Sequence, residues 1–471
     1  MEKSVSRTCQ SQKQCVITPV MAFFRPFRLN SVFTVLALTQ LMSANVYAKL
    51  DVGVSSTNYL GQGSAGRQNS YSALDLGLDA KTDGAYVDSR ALVQAEIGFN
   101  DSNYRFIEFP EAYLATPKGL FGPTTTTLGR KLVPWSALDD TWGAGAYEGR
   151  FRWDYLQPQE VGLIGLYEEL KVGILKVTAM YSPIFIPDRG APLDFSDGRI
   201  HSISPWAIDP PYEVQLRQKT VPVRYDAQIP PVSDIVRQNT FVTQLALGEE
   251  KGMWGAISYA YKPMNQLLLS YDKAYLTSMN DAHVTIYPRV AYHHVASMDI
   301  GARSSRATAT LSGVADLPTE HVQFEELRTS QHVGNMYLVS PTLTVNPFGG
   351  ANGGNLSVSY LRVFGTDPPV TGKYPDVNQF DSRYPYKSAF LLGAQFPTWR
   401  KLTTDFRLLF DIENPGTIVS WNFSYAADRD WRLFLATDVL SSFTGDSADG
   451  TDFIHRYREN DRVAGGVTYV F

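Results

Sequence analysis

The sequence predicts an all-β chain closed as a transmembrane antiparallel β-barrel of about 18 strands, with 16 and 20 open, short turns at one end and long loops at the other. Three observations predict it. The last ten residues, Arg462 to Phe471, alternate and stop on an aromatic residue. An uncovered apolar strand tail is a sheet edge and an aggregation hazard, whereas a barrel pairs its last strand with its first. Short alternating segments recur from residue 49 onward between clusters of Gly, Pro, Asn and Asp, with no helical periodicity beyond a turn or two. Finally, no apolar run after residue 48 approaches the roughly 18 residues of a membrane helix, although 44% of the chain is hydrophobic. A barrel hides its hydrophobicity in every second residue, so the average misses it.

In the terminal strand Val463, Gly465, Val467, Tyr469 and Phe471 suit lipid, and Arg462, Ala464, Gly466, Thr468 and Val470 suit a lumen. The terminal Phe with an aromatic two residues earlier resembles the C-terminal signature by which Gram-negative outer-membrane barrels are recognised for insertion. The resemblance implies that Tyr469 and Phe471 are the membrane-assembly signal and that the barrel-assembly machinery is a partner.

At the other end Lys13, Arg25 and Arg28 precede the apolar run Val32 to Leu38, and Val46-Tyr47-Ala48 offers small residues at cleavage spacing. Residues 1–48 therefore read as a removed secretory leader, with Met21 a possible true start, and residues 49–471 as one barrel domain. Cys9 and Cys15 both precede the cut, so a chain cleaved there has no thiol for a disulfide, metal site or nucleophile. Such a chain carries 37 basic and 46 acidic residues, a balance that argues against nucleic acid.

The clearest strands lie late in the chain: Thr404 to Asp411, Val419 to Tyr425 and Trp431 to Val439, each with one apolar and one more polar face. Less regular strands are expected at Lys49 to Tyr59, Ser72 to Asp79, Arg90 to Phe99, Arg105 to Ala115, Thr124 to Lys131, Val161 to Leu166 and Val172 to Tyr181. Others are expected at Thr240 to Leu247, Trp254 to Tyr261, Gln266 to Tyr275, His283 to Met298, Arg306 to Val314, Met336 to Val345 and Asn355 to Val363. Up-down bookkeeping does not close across Ser182 to Asn239, and Thr220 to Tyr225 is the candidate for a missing crossing. Alternation places Asn346 to Gly350, Pro397 to Arg400 and Ala427 to Asp430 on the periplasmic side, and Gly365 to Tyr384 and Ser441 to Tyr457 outside.

A lumen of this size is a water-filled channel unless plugged. Its expected lining is Arg90, Glu96, Arg105, Glu111, Tyr113, Arg130, Asp405, Arg407, Asp411, Arg432 and Asp438. Opposed basic and acidic rows would order water and tune ion selectivity; inter-strand bracing of the wall explains any one of these charges equally well. Ile107 to Leu114 followed by Leu128 to Trp135 resembles a hairpin of porin-like proteins, an acidic residue and Tyr on one strand and Gly-Arg with Trp on the next. The resemblance implies that Glu111, Tyr113 and Arg130 line the wall and that the loop from Trp135 folds toward the pore. Loops are expected near 132–159 and 183–239. The first offers Asp139, Asp140, Trp142, Arg150 and Arg152 as constriction candidates; the second, stiffened by Pro187, Pro192, Pro205, Pro210, Pro211, Pro230 and Pro231, is either an ordered plug or lid or a surface loop.

Tyr259, Tyr261, Tyr271, Trp421 and Tyr425 fall on the lipid-facing register and read as an interfacial girdle, not as sugar-stacking platforms. The seven histidines are scattered, and His293-His294 puts one ring on each strand face; with no nucleophile elbow, phosphate loop or metal-ligand spacing, the chain reads as non-enzymatic, without cofactor. The expected function is a porin-like channel for small hydrophilic solutes or ions in the outer membrane, in contact with lipid and lipopolysaccharide, with a homo-oligomer open. The alternatives are a polysaccharide or other substrate-specific channel and a non-conducting surface-contact barrel.

Overall fold

The structure is a computed structural model that describes residues 45–471 except 62–68, 102, 121, 208, 217–218, 250, 273–274, 279–280, 320–327, 349–353, 366–382, 400 and 444–451. Residues 1–44 of the expected leader, most of the segment expected outside at 365–384, and the acidic tip 445–450 lie outside the described residues.

Eighteen antiparallel strands close on themselves. In chain order they are β1 (Asn45–Tyr59), β2 (Ser70–Asp83), β3 (Asp88–Gly98), β4 (Arg105–Ala115), β5 (Thr124–Lys131), β6 (Leu163–Val172), β7 (Leu175–Ser182), β8 (Thr240–Gly248) and β9 (Gly252–Pro263). They continue with β10 (Tyr292–Arg303), β11 (Ala307–Pro318), β12 (Met336–Val345), β13 (Asn355–Phe364), β14 (Ser388–Trp399), β15 (Leu402–Asp411), β16 (Gly416–Ala426), β17 (Trp431–Ser442) and β18 (Arg462–Val470). Each pairs with the next, and β18 pairs with β1 from Asp51↔Val470 to Tyr59↔Arg462, so no strand of the ring has a free edge. The Phe471 backbone N–H donates to the Leu50 carbonyl at 2.8 Å, the last bond of the closure. Residues 45–48, within the expected leader, continue β1 beside Ala80 to Asp83.

Alternation sets the two faces. Large apolar side chains stand exposed on the outer one, among them Ile107, Leu128, Leu245, Ile257, Phe390, Trp421 and Trp431, as a wall facing hydrocarbon requires. Tyr259, Tyr261, Trp421 and Tyr425 belong to that face, as expected. Connections at the end holding Phe471 are as short as residues 173–174 and 427–430, whereas the opposite end carries 132–162, 183–239, 264–291 and 443–461.

Three expected crossings are corrected. Thr220 to Tyr225 lies in a strand, Lys219–Ala227, that pairs with Glu213–Leu216 and Asp281–Arg289, outside the ring. Gln266 to Tyr275 contributes Leu268–Asp272 to the same sheet, so Tyr271 is not part of a lipid-facing girdle. The stretch His283 to Met298 divides at residues 290–291, its first part in that sheet and its second in β10. The sheet has its own apolar face, built on Val221, Val223, Ala282 and Val284, which is why these segments alternate like barrel strands.

Candidate functional site

Residues 132–162 enter the barrel and dock on the inner face of β8 to β13. The sequence prepares this wall with small hydroxyl residues. The Trp135 carbonyl accepts from Ser258 Oγ at 2.6 Å and Ser297 Oγ at 3.3 Å, and Gln244 Nε2 donates to the Pro134 carbonyl at 2.9 Å. The Tyr147 hydroxyl donates to Ser297 Oγ at 2.9 Å, and the Trp142 indole N–H lies 2.9 Å from Ser340 Oγ and 3.0 Å from Ser359 Oγ. Asn265 Nδ2 donates to the Gly145 and Glu148 carbonyls. Trp135, Leu138, Trp142 and Tyr147 are buried, so the loop is a packed element of the interior.

Within the loop a short helix, Ala137–Trp142, ends at Gly143, whose φ of 60° suits glycine. Asp139 accepts the N–H groups of Gly145 (2.6 Å) and Tyr147 (2.9 Å) and meets Arg150 at 3.3 Å; Arg150 also binds Glu160. Asp139, Trp142 and Arg150 are thus anchors, buried away from the passage they were expected to face. Asp140, on the same helix, does not share that burial. It is exposed to water yet ringed by protein, and this crowding, then the neighbouring Asp139 and Glu160, push its carboxyl up to about 7 against the pull of Arg150. Burial raises the Glu148 carboxyl well above its ordinary range, opposed by the Val133 N–H it accepts at 2.8 Å.

The 183–239 loop is ordered where described. Arg189–Gly190 runs parallel to Phe151–Arg152, and Arg152 meets Asp188 at 3.1 Å, which joins the two long loops. Arg189 also reaches Glu108 of β4, a carboxylate with no exposure that Arg130 of β5 meets at 2.8 Å. Farther along, Trp206 is buried among Tyr155, Phe453, Tyr457 and Tyr59, with ring centroids 5.3 to 6.4 Å away.

Of the expected lining residues, Arg90, Glu96, Glu111, Tyr113, Asp405, Arg407, Asp411, Arg432 and Asp438 fall on the inner face by register. Their environments differ. Arg90 binds Glu111 at 2.8 Å and approaches Asp79 at 3.5 Å. Arg432 is exposed and Arg407 half-buried. Asp411 is buried and accepts the N–H groups of Glu413 and Asn414, so it shapes a turn; Asp438 is buried against Arg462 at 2.7 Å.

Arg105 is a correction: it is in register with Ile97 and two residues from Ile107, both exposed outward, so it shares the outer face. Arg130 is brought inward, but onto Glu108 and the Phe109 carbonyl, not into lumen water. It follows Gly129, at φ 131°, where a Cβ would lie 2.3 Å from the Ala112 carbonyl oxygen. Sequence reasoning missed Glu108 because β4 has a bulge: Leu92↔Glu111 and Gln94↔Glu108 put two residues three apart on one face. Pro110 at that irregularity, lacking an N–H, was the available signal. It also missed Arg462 as a site residue. Of the adjacent histidines, His293 is buried 2.6 Å from Asp316, and His294 turns outward to Tyr259.

No protein-family model matches the sequence, and no curated protein matches it. Solved structures do. The chain is similar to OccK2 (OpdF) of Pseudomonas aeruginosa, solved in complex with glucuronate, with a TM-score of 0.50 and 10% identity over 91% of this chain and 98% of that one. A BenF-like porin from Pseudomonas fluorescens Pf-5 and OccAB4 of Acinetobacter baumannii each give a TM-score of 0.48 and 9% identity over 91% of this chain and 98% of theirs. The fold shared with OccK2 is the closed barrel of 18 antiparallel strands described above.

Proposed function

We propose that the protein is a porin-like channel of the Gram-negative outer membrane that passes small hydrophilic solutes or ions by passive diffusion, without catalysis or cofactor. The observation that carries this reading is the loop 132–162 pinned inside a closed barrel along one wall, opposite inner faces that keep charged residues in water. The outer face contacts lipid and lipopolysaccharide, the Tyr469 to Phe471 end serves the assembly machinery, and the leader is cut after Ala48.

Permeation follows the charged strip. Arg407, Arg432 and Arg90 offer guanidinium groups, while Asp405, Asp79 and Asp140 offer carboxylates, and a transverse field between them orients water and excludes apolar solutes. The interior packing of Trp206, Tyr384, Ile454 and Tyr457 against the loop 132–162 core favours a restricted, solute-selective passage over a wide one. Planar-bilayer recording tests the reading. The wild-type barrel should conduct, and Arg407→Gln with Arg432→Gln should shift the reversal potential toward cation selectivity; an unchanged potential removes both arginines from the pathway.

A further inference from the structure

We propose that Arg462, on the last strand of the barrel, is the positioning residue that sets the aperture of the channel. The inference rests on the channel reading and adds to it the element that holds the constriction in place. The loop 132–162 is fixed to the β8 to β13 wall by Trp135, Trp142 and Tyr147, and its returning arm then crosses toward β18 and β1. There Arg462, beside Tyr59 of β1, bridges three further elements. Its Nε donates to Asp438 Oδ2 of β17 at 2.7 Å, its Nη2 to Asp154 Oδ2 of the returning arm at 2.7 Å, and its guanidinium carbon lies 5.9 Å from the Trp206 ring of the 183–239 loop.

The geometry uses what only a guanidinium has. Asp438, with the rest of the inner wall, fixes one edge of the planar fork, so the other edge points at Asp154 in a defined direction. The Arg462 side chain is 8% exposed and that of Asp154 30%, so salt screens the pair only in part. Trp206 stacks on Tyr155, the residue after Asp154, at 6.0 Å and 17°. Because Phe151–Arg152 is paired with Arg189–Gly190, release of Asp154 loosens the arm shared by both loops, which Arg462 holds at β18 and Glu108 holds four strands along the ring at β4.

Asp154→Asn, Arg462→Met and Arg462→Lys would be recorded in planar bilayers and in liposome swelling with sugars of graded size, after a check that each is heat-modifiable. Asp154→Asn and Arg462→Met should each raise the unitary conductance and the size cutoff, the double variant should rise no further than either single one, and Arg462→Lys should fall between. A merely structural arginine would lower the yield of folded barrel without moving conductance. Wild-type conductance and cutoff in folded Asp154→Asn would overturn the proposal; that variant changes a loop residue and reads even if Arg462→Met does not assemble. Should the wild type prove silent, the passive-channel reading falls while conductance appearing in Asp154→Asn upholds the role of Arg462; silence in both overturns the two together.

Discussion

Asp140 offers the sharpest test of how the constriction carries charge. With a carboxyl at about 7, it is roughly 10% ionised at pH 6 and about 90% ionised at pH 8, a change of about 0.8 of an elementary charge within two pH units. The causes act in order: crowding by the surrounding protein, then Asp139 and Glu160, with Arg150 opposing and Asp299 of β10 adding repulsion. Ionisation places negative charge at the passage, so cation selectivity should rise from pH 6 to pH 8, read as a reversal potential in the same salt gradient at both pH values. In Asp140→Asn that pH response should be lost while conductance at pH 6 stays near wild type. A reversal potential that moves equally in both proteins, or in the opposite sense, refutes the reasoning. Linkage supplies a second readout. Because the docked loop raises this carboxyl above its ordinary 3.8, docking binds a proton between that value and 7, and its stability falls as pH rises through this window. Protease cleavage in 132–162 should therefore be slower at pH 5.5 than at pH 8, and Asp140→Asn should narrow that difference.

Three further outcomes follow from the packing. Glu108→Gln leaves Arg130 buried beside a neutral amide, and breaking a buried pair on one side costs about 3–5 kcal/mol; with Arg189 able to turn to water, the lower end is expected, seen as a reduced urea midpoint with first cleavage in 183–239. Trp142→Phe loses two indole contacts, but Ser340 and Ser359 keep their mutual bond at 2.9 Å, so the loss is about 1 kcal/mol; Trp142→Ala opens a cavity costing about 3–5 kcal/mol, and equal urea midpoints for the two would contradict this assignment. Deleting Phe471 removes the closing bond to Leu50 and the ring 4.6 Å from Tyr469, so heat-modifiable barrel should accumulate poorly in cells, and wild-type yield would count against an assembly role.

Much of the wall was legible because lipid imposes the same demand on every strand. Trp421, Phe423, Trp431 and Leu433 declare their face without reference to any partner. What was illegible depends on contacts between distant parts of the chain. Asp154 and Arg462 are 308 residues apart, and alternation says only that Arg462 faces inward, not that it binds a loop. Thr220 to Tyr225 failed for a different reason: a half-buried sheet outside the membrane has the same period of two as a barrel strand, and its burial comes from Ala282 and Val284, supplied by another loop. In β4 the bulge shifts the period by one residue, so strict alternation, which groups Arg105 with Glu111 and Tyr113, separates Glu108 from Glu111, whereas the register puts these two on one face.

The serine-bearing wall explains why the passage lies where it does. Ser258 pairs with Ser297 in register, Ser312 with Ser340, and Ser340 meets Ser359, so small hydroxyl residues reach from β9 to β13 at one level of the interior. A larger side chain at any of these positions would hold the loop backbone off the wall, and an aliphatic one would leave its carbonyl and indole groups without partners at about 1–3 kcal/mol each. The loop is therefore drawn to this half of the lumen by groups that offer little on their own to a passing ion. Asp405, Arg407, Arg432, Asp79 and Arg90 stand on strands the loop core leaves uncovered and keep contact with water. Selectivity and aperture are thus set by different surfaces, the first by the charged strands and the second by how firmly the returning arm is held at Asp154.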